Sequence, residues 1–127
     1  MTTWGERLPL ASVHSPSPFR VGKYSVEVEN LETVSLYLID LLNNGQRNFL
    51  IDEIGKMEFF SRTFRFFLEK AFSTTEVNVL ATISRTDFHP LLRSLKGKAT
   101  YLMELTRSNF PRVLEEITNL LKNLPSE

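Results

Sequence analysis

Apolar positions along the chain recur with two periods, and the two alternate. Tyr24, Val26 and Val28 are spaced by two within Arg20-Val-Gly-Lys-Tyr-Ser-Val-Glu-Val28, which predicts a short strand. Leu31, Val34, Leu38, Leu41 and Leu42 then follow helical spacing. They predict a helix over about Leu31 to Asn43, capped by Asn30 and closed by Gly45. Phe49-Leu-Ile51 is a short apolar run ending in acids, as in a parallel strand covered on both faces. Ser61 is placed to cap a helix running to about Phe72, with Phe64, Phe67, Leu68 and Ala71 facing inward. Val77 to Ile83 predicts a second buried strand, and Thr100-Tyr-Leu-Met-Glu-Leu105 a third. Pro90 suits the first turn of a short helix over residues 89 to 96. Asn109 or a neighbour caps a last helix with Pro111 in its first turn. Val113, Leu114, Ile117, Leu120, Leu121 and Leu124 form its stripe.

Strands and helices alternate with short connections, which argues for a parallel α/β sheet with right-handed crossovers. Residues 1–127 read as a single domain with an irregular lead-in over 1–19, where Ser15-Pro-Ser-Pro18 interrupts helix and central strand alike. No internal repeat or linker divides it.

Composition narrows the chemistry. Fifteen basic residues balance fifteen acidic ones, so no net field draws the chain to nucleic acid or to an anionic membrane. The absence of cysteine excludes disulfides, thiolate metal sites and a cysteine nucleophile. Two histidines, His14 and His89, are too few for a histidine metal cluster. No apolar run has the length of a membrane span, and the N-terminus does not read as a secretory signal, so the expected compartment is the cytoplasm. Ten phenylalanines are many for this length. Three of them fall within Phe64-Arg-Phe-Phe67, and Phe66, off the main stripe, is a candidate contact residue.

The candidate chemistry sits at strand ends, because open parallel sheets bind ligands off their carboxyl ends. The first strand presents Asp52 and Glu53, the second Thr82 and the third Thr106. An acid at the tip of a buried strand is costly unless it meets a metal, a cation or hydrogen-bond donors. Asp52 and Glu53 therefore read as a Walker B element: Asp52 on a magnesium ion, Glu53 on the attacking water, Thr82 near the terminal phosphate. The alternative is that both acids cap backbone donors of the next turn.

The longer string Asp52-Glu-Ile-Gly-Lys-Met-Glu58, followed by Phe60-Ser61, resembles the Walker B region of the small nucleoside-triphosphatases of the thermophile (THEP) type. That family includes a cancer-related vertebrate member. Arg20-Val-Gly-Lys-Tyr24 is similar to another block of the family, and Val79 to Ile83 to its second core strand. Leu105-Thr106 and Asn109 also fall at family positions, so the likeness runs from about Arg20 to Leu124. The resemblance implies a P-loop NTPase-like three-layer parallel sheet with helices on both faces. It implies hydrolysis of a nucleoside triphosphate to diphosphate and phosphate with Mg2+. Asp52 would be the metal residue and Glu53 the catalytic one. Glu58, Lys56 and Thr82 would be nucleotide-binding.

Two departures matter. Phe110 stands where the family usually has arginine. The family's opening strand, its Gly-x-x-x-x-Gly-Lys-[Ser/Thr] loop and the following helix have no counterpart in these 127 residues. Gly22-Lys23, Gly55-Lys56 and Gly97-Lys98 are followed by Tyr24, Met57 and Ala99, never by Ser or Thr. Carboxylates cannot replace the loop's backbone donors and lysine, because they repel a polyphosphate. The expectation is a truncated nucleoside-triphosphatase domain, weak or inactive alone. The alternative is a non-catalytic shortened form that acts as a binding module. The resemblance implies that the family's opening strand lies between the strand ending near Thr82 and the one ending near Leu105. The chain is thus expected to close that gap, to offer it to a strand-complementing protein partner, or to fold poorly.

Five further residues have two readings each. Lys56 and Glu58 contact nucleotide or form a solvated ion pair. Arg20 and Lys23 reach phosphate or guard an edge strand. His89, before Pro90, reads as a surface or capping residue.

Overall fold

In a computed structural model of the chain, the residues described are 2–3, 6–7, 10–12 and 17–124. The segments β1 (Thr2–Thr3) and β2 (Glu6–Arg7) pair antiparallel. β3 (Ala11–Ser12), β4 (Arg20–Val21) and β5 (Tyr24–Val26) form an antiparallel ribbon in the order β3-β5-β4. The lead-in is thus partly paired rather than irregular. Its two-residue strands are held by their partners, which no local periodicity announces. Gly22, at φ +59°, makes the tight turn between β4 and β5.

Helix α1 (Val28–Asn43) begins three residues before its expected start, with Glu27 rather than Asn30 at the cap. Val28 is therefore its first residue and not the end of a strand. Leu31, Val34 and Leu42 are buried as the spacing predicts, and Gly45, at φ +93°, turns the chain out of the helix. β6 (Asn48–Ile54) follows, then a 3-10 turn over Glu58–Phe60 and α2 (Arg62–Ser73). The Ser61 hydroxyl accepts the Phe64 N–H at 3.0 Å, and Phe64, Phe67, Leu68 and Ala71 are buried, all as expected. β7 (Asn78–Ile83) pairs with β6 in parallel, from Asn48 beside Asn78 to Ile51 beside Ala81. α3 (Pro90–Lys98) is capped by His89, whose Nδ1 accepts the Leu91 N–H at 3.0 Å.

The core lies on one face of the β6–β7 pair. Phe49, Ile51, Val79, Ala81 and Ile83 pack there against Phe64, Phe67 and Leu68 of α2 and Leu92 and Leu95 of α3. Side chains alternate along strands, so Leu50, Asp52, Leu80 and Thr82 share the other face. Leu50 on that face is 78% exposed, against the expectation that the run is covered on both sides.

Thr100–Leu105 is the clearest correction. It is not a strand: the parallel sheet among the described residues is β6 and β7 alone. Tyr101 is 63% exposed, and Leu102 and Leu105 are exposed too. A strand needs a neighbour, and apolar pattern alone does not supply one. The last helix, α4 (Phe110–Lys122), forms as predicted, yet of its stripe only Val113 is buried while Leu114 and Leu121 are exposed. No helix among the described residues is long and apolar enough to cross a membrane.

Candidate functional site at the carboxyl end of the parallel strands

Asp52 and Glu53 lie in the last turn-ward stretch of β6. The register with β7 is regular as far as Ile51 and resumes at Ile54, so the irregularity falls on the two acids. Their peptide bond is cis. Both side chains are exposed. The Thr82 hydroxyl, on the neighbouring strand and the same face, donates to Asp52 Oδ1 at 2.6 Å. The structure therefore brings Asp52, Glu53 and Thr82 to one end of one parallel pair.

Glu58 is placed differently. It is buried, and its Oε1 accepts the Gly55 N–H at 2.9 Å, closing the turn after β6. Burial raises its pKa above the ordinary carboxylate value; the Gly55 N–H opposes that, and the Glu53 charge adds to the rise. Gly55 is crowded between these acids: a Cβ there would meet Glu58 Oε1 at 3.3 Å and Glu53 Cγ at 3.4 Å. Lys56, exposed, points to a third place, an open cleft that it lines with Arg20, Phe59, Phe60 and Phe88.

Thr106 and Asn109 close a loop on themselves. The Thr106 N–H donates to Asn109 Oδ1 at 2.7 Å, and Asn109 Nδ2 donates to the Glu104 carbonyl at 2.6 Å. Asn109 thus serves the loop and makes no side-chain bond to the helix it precedes. Arg85, just past β7, pairs with Glu104 at 2.6 Å and ties this loop to the sheet end.

One acid escaped the sequence reading. Glu32 of α1 accepts the Ser61 hydroxyl at 2.8 Å and the Thr63 hydroxyl, joining α1 to the start of α2. Burial tends to raise its pKa, but these donors, with backbone N–H groups of Thr63 and Arg62, outweigh it and hold Glu32 below the ordinary value. The partners lie 29 and 31 residues apart, so no local spacing could signal them.

No group of three or more His, Cys, Asp or Glu side chains able to hold a metal occurs among the described residues. One or two carboxylates suffice for magnesium when substrate phosphates and water complete its shell. Asp52 and Glu53 at the end of β6 are the two acids that the sequence pattern singles out.

Comparison with known proteins decides the family. A family model described as NTPase matches residues 1–118. The chain belongs to this nucleoside-triphosphatase family. The match includes residues 1–19. The nucleoside-triphosphatase THEP1 of Thermotoga maritima is 37% identical over 123 residues, covering 96% of this chain and 70% of that protein. The human cancer-related nucleoside-triphosphatase is 30% identical over 135 residues, covering 97% and 71%. The crystal structure of THEP1 from Aquifex aeolicus superposes with a TM-score of 0.82 at 34% identity, covering 97% of this chain and 75% of that one. The P-loop NTPase-like α/β fold is thereby shown for this nucleoside-triphosphatase-family chain. About a quarter to three tenths of each of these relatives has no counterpart in it.

Proposed function

We propose that this chain carries the metal-and-water half of a magnesium-dependent nucleoside-triphosphatase site. The observation that carries the reading is the Asp52–Thr82 hydrogen bond at the carboxyl end of a parallel pair, in a chain of this family. Asp52 holds the magnesium ion, directly or through water. Glu53 positions the attacking water and takes its proton. The Thr82 proton is committed to Asp52 Oδ1, so Thr82 orients the metal residue and leaves Oδ2 for the metal side. Glu58 shapes the turn that follows rather than touching the ligand. Magnesium, when bound with the triphosphate, neutralises charge on the phosphates. The chain works in the cytoplasm, where such triphosphates are abundant.

The other half is a Gly-x-x-x-x-Gly-Lys-[Ser/Thr] strand–loop–helix unit, supplied by another polypeptide segment. Its strand fits beside β7, whose second edge is unpaired among the described residues. Leu50, Tyr101 and Leu102 offer exposed apolar surface of the kind a covering helix or added strand buries. Without those donors the chain is weak or inactive, since several kcal/mol of charge stabilisation is absent (about 3–4 kcal/mol for one donor alone). The same exposed surface favours a second reading, a non-catalytic module that docks through it. The test is phosphate release from Mg-ATP by the chain mixed with such a unit, with Asp52→Asn and Glu53→Gln in parallel. Release lost in both variants supports the first reading. Release that neither variant changes rules it out, and stable association with no release selects the second.

A further inference from the structure

A cleft that Asp52 and Glu53 do not line has the opposite character. The open cleft has a volume of about 450 Å3, within the range of small-molecule sites. Arg20 comes from the β4–β5 turn region, Lys56 from the turn after β6, Phe59 and Phe60 from the 3-10 segment and Phe88 from the loop before α3. Among the described residues, neither Asp52, Glu53 and Thr82 nor any other carboxylate lines it. Its charged groups among the described residues are thus two cations, Arg20 and Lys56.

Both cations have capacity to spare. Arg20 Nη1 donates to Ser25 Oγ at 2.7 Å and Nη2 to the Lys23 carbonyl at 3.1 Å. Those bonds fix the guanidinium in place while leaving part of its five-donor fork unused. A group held in advance loses less freedom on binding. Lys56 has no acid within ion-pair distance among the described residues.

The wall is aromatic and fixed. Phe59 is buried and meets Phe88 edge-on at 5.2 Å and His89 at 5.1 Å. Phe60, half-buried, lies 5.5 Å from Phe19. The partly open rings of Phe60 and Phe88 are surfaces on which a flat base can lie.

A planar apolar body with a compact dianion matches this arrangement. The geometry points to a nucleoside monophosphate, its phosphate between Arg20 and Lys56 and its base on the Phe60 and Phe88 rings. A phosphate monoester carries roughly −1.5 to −2 at neutral pH, which two side-chain cations balance without a metal. Magnesium-bound polyphosphate belongs instead at the acids. The site does not depend on whether the acids hydrolyse anything.

The test is calorimetric titration of the chain with AMP in EDTA, beside adenosine and inorganic phosphate. AMP binds saturably, and each fragment binds at least roughly tenfold more weakly. Lys56→Ala and Arg20→Ala each weaken AMP by roughly tenfold, while Asp52→Asn leaves it unchanged. Lys56 is exposed, so its variant keeps the fold. No saturable binding up to about 10 mM overturns the proposal, as does binding indifferent to both cation variants. Binding that requires magnesium and is lost in Asp52→Asn places the ligand at the acids and overturns it too.

Discussion

The Thr82 hydroxyl and Asp52 Oδ1 are 2.6 Å apart, on neighbouring parallel strands whose register is regular up to the residue before Asp52. The contact follows from the sheet. Leu50 lies beside Leu80, so Asp52 and Thr82, two residues on, come to the same face and the same end. The bond engages Oδ1 of the Asp52 carboxylate.

Thr82→Val keeps the shape and removes the donor. With a phosphate-binding unit present, it lowers kcat for Mg-ATP by roughly tenfold, or ~1.4 kcal/mol of barrier. The fold is barely affected, because the bond is exposed. Unchanged turnover would show that Thr82 does not orient Asp52.

Two carboxyls move stability with pH in opposite senses. Glu58 has its pKa raised above 4.5 in the fold, so the folded state holds a proton that the unfolded state gives up. Stability from this group is full below 4.5 and falls as pH rises through the raised value. Glu32, lowered from 4.5, contributes stability above that value and loses it as pH falls through its folded pKa. Urea denaturation across pH 3 to 8 checks both, with Glu58→Gln and Glu32→Gln as references. Glu58→Gln flattens the decline on the high-pH side, and Glu32→Gln reduces the loss on the acid side. A Glu58→Gln profile parallel to the parent removes the first assignment.

In the proposed arrangement, the strand–loop–helix unit covers the face that carries Leu50. Leu50→Lys changes folding stability by less than about 0.5 kcal/mol, since the side chain is 78% exposed already. It weakens docking of the unit by roughly tenfold or more, because a charge is placed under the covering layer. Sedimentation or titration of the mixture reads this directly. Docking that tolerates Leu50→Lys moves the partner to another surface.

Legibility in the sequence followed locality. α2 was readable because its cap and its stripe lie within eleven residues of one another, from Ser61 to Ala71. β6 and β7 are legible as apolar runs, although β6 continues past Ile51 and through the two acids to Ile54. Thr100–Leu105 was misread because its pattern is that of a strand, while a strand also needs an edge to pair with. Glu58 was ambiguous for a different reason. An acid that binds a ligand and an acid that closes a turn onto Gly55 look alike until the turn is seen. Glu32 was invisible because its partners are distant in sequence. The aromatic cleft combines residues from Arg20 to Phe88, a span that no motif covers.

The most direct measurement of the central claim is phosphate release from Mg-ATP by the 127-residue chain, alone and with an added strand–P-loop–helix unit. No release above background is expected from the chain alone or from the unit alone. The mixture should give magnesium-dependent release, abolished by Glu53→Gln. Turnover by the chain alone, unaffected by Glu53→Gln, would rule out a site split between the two.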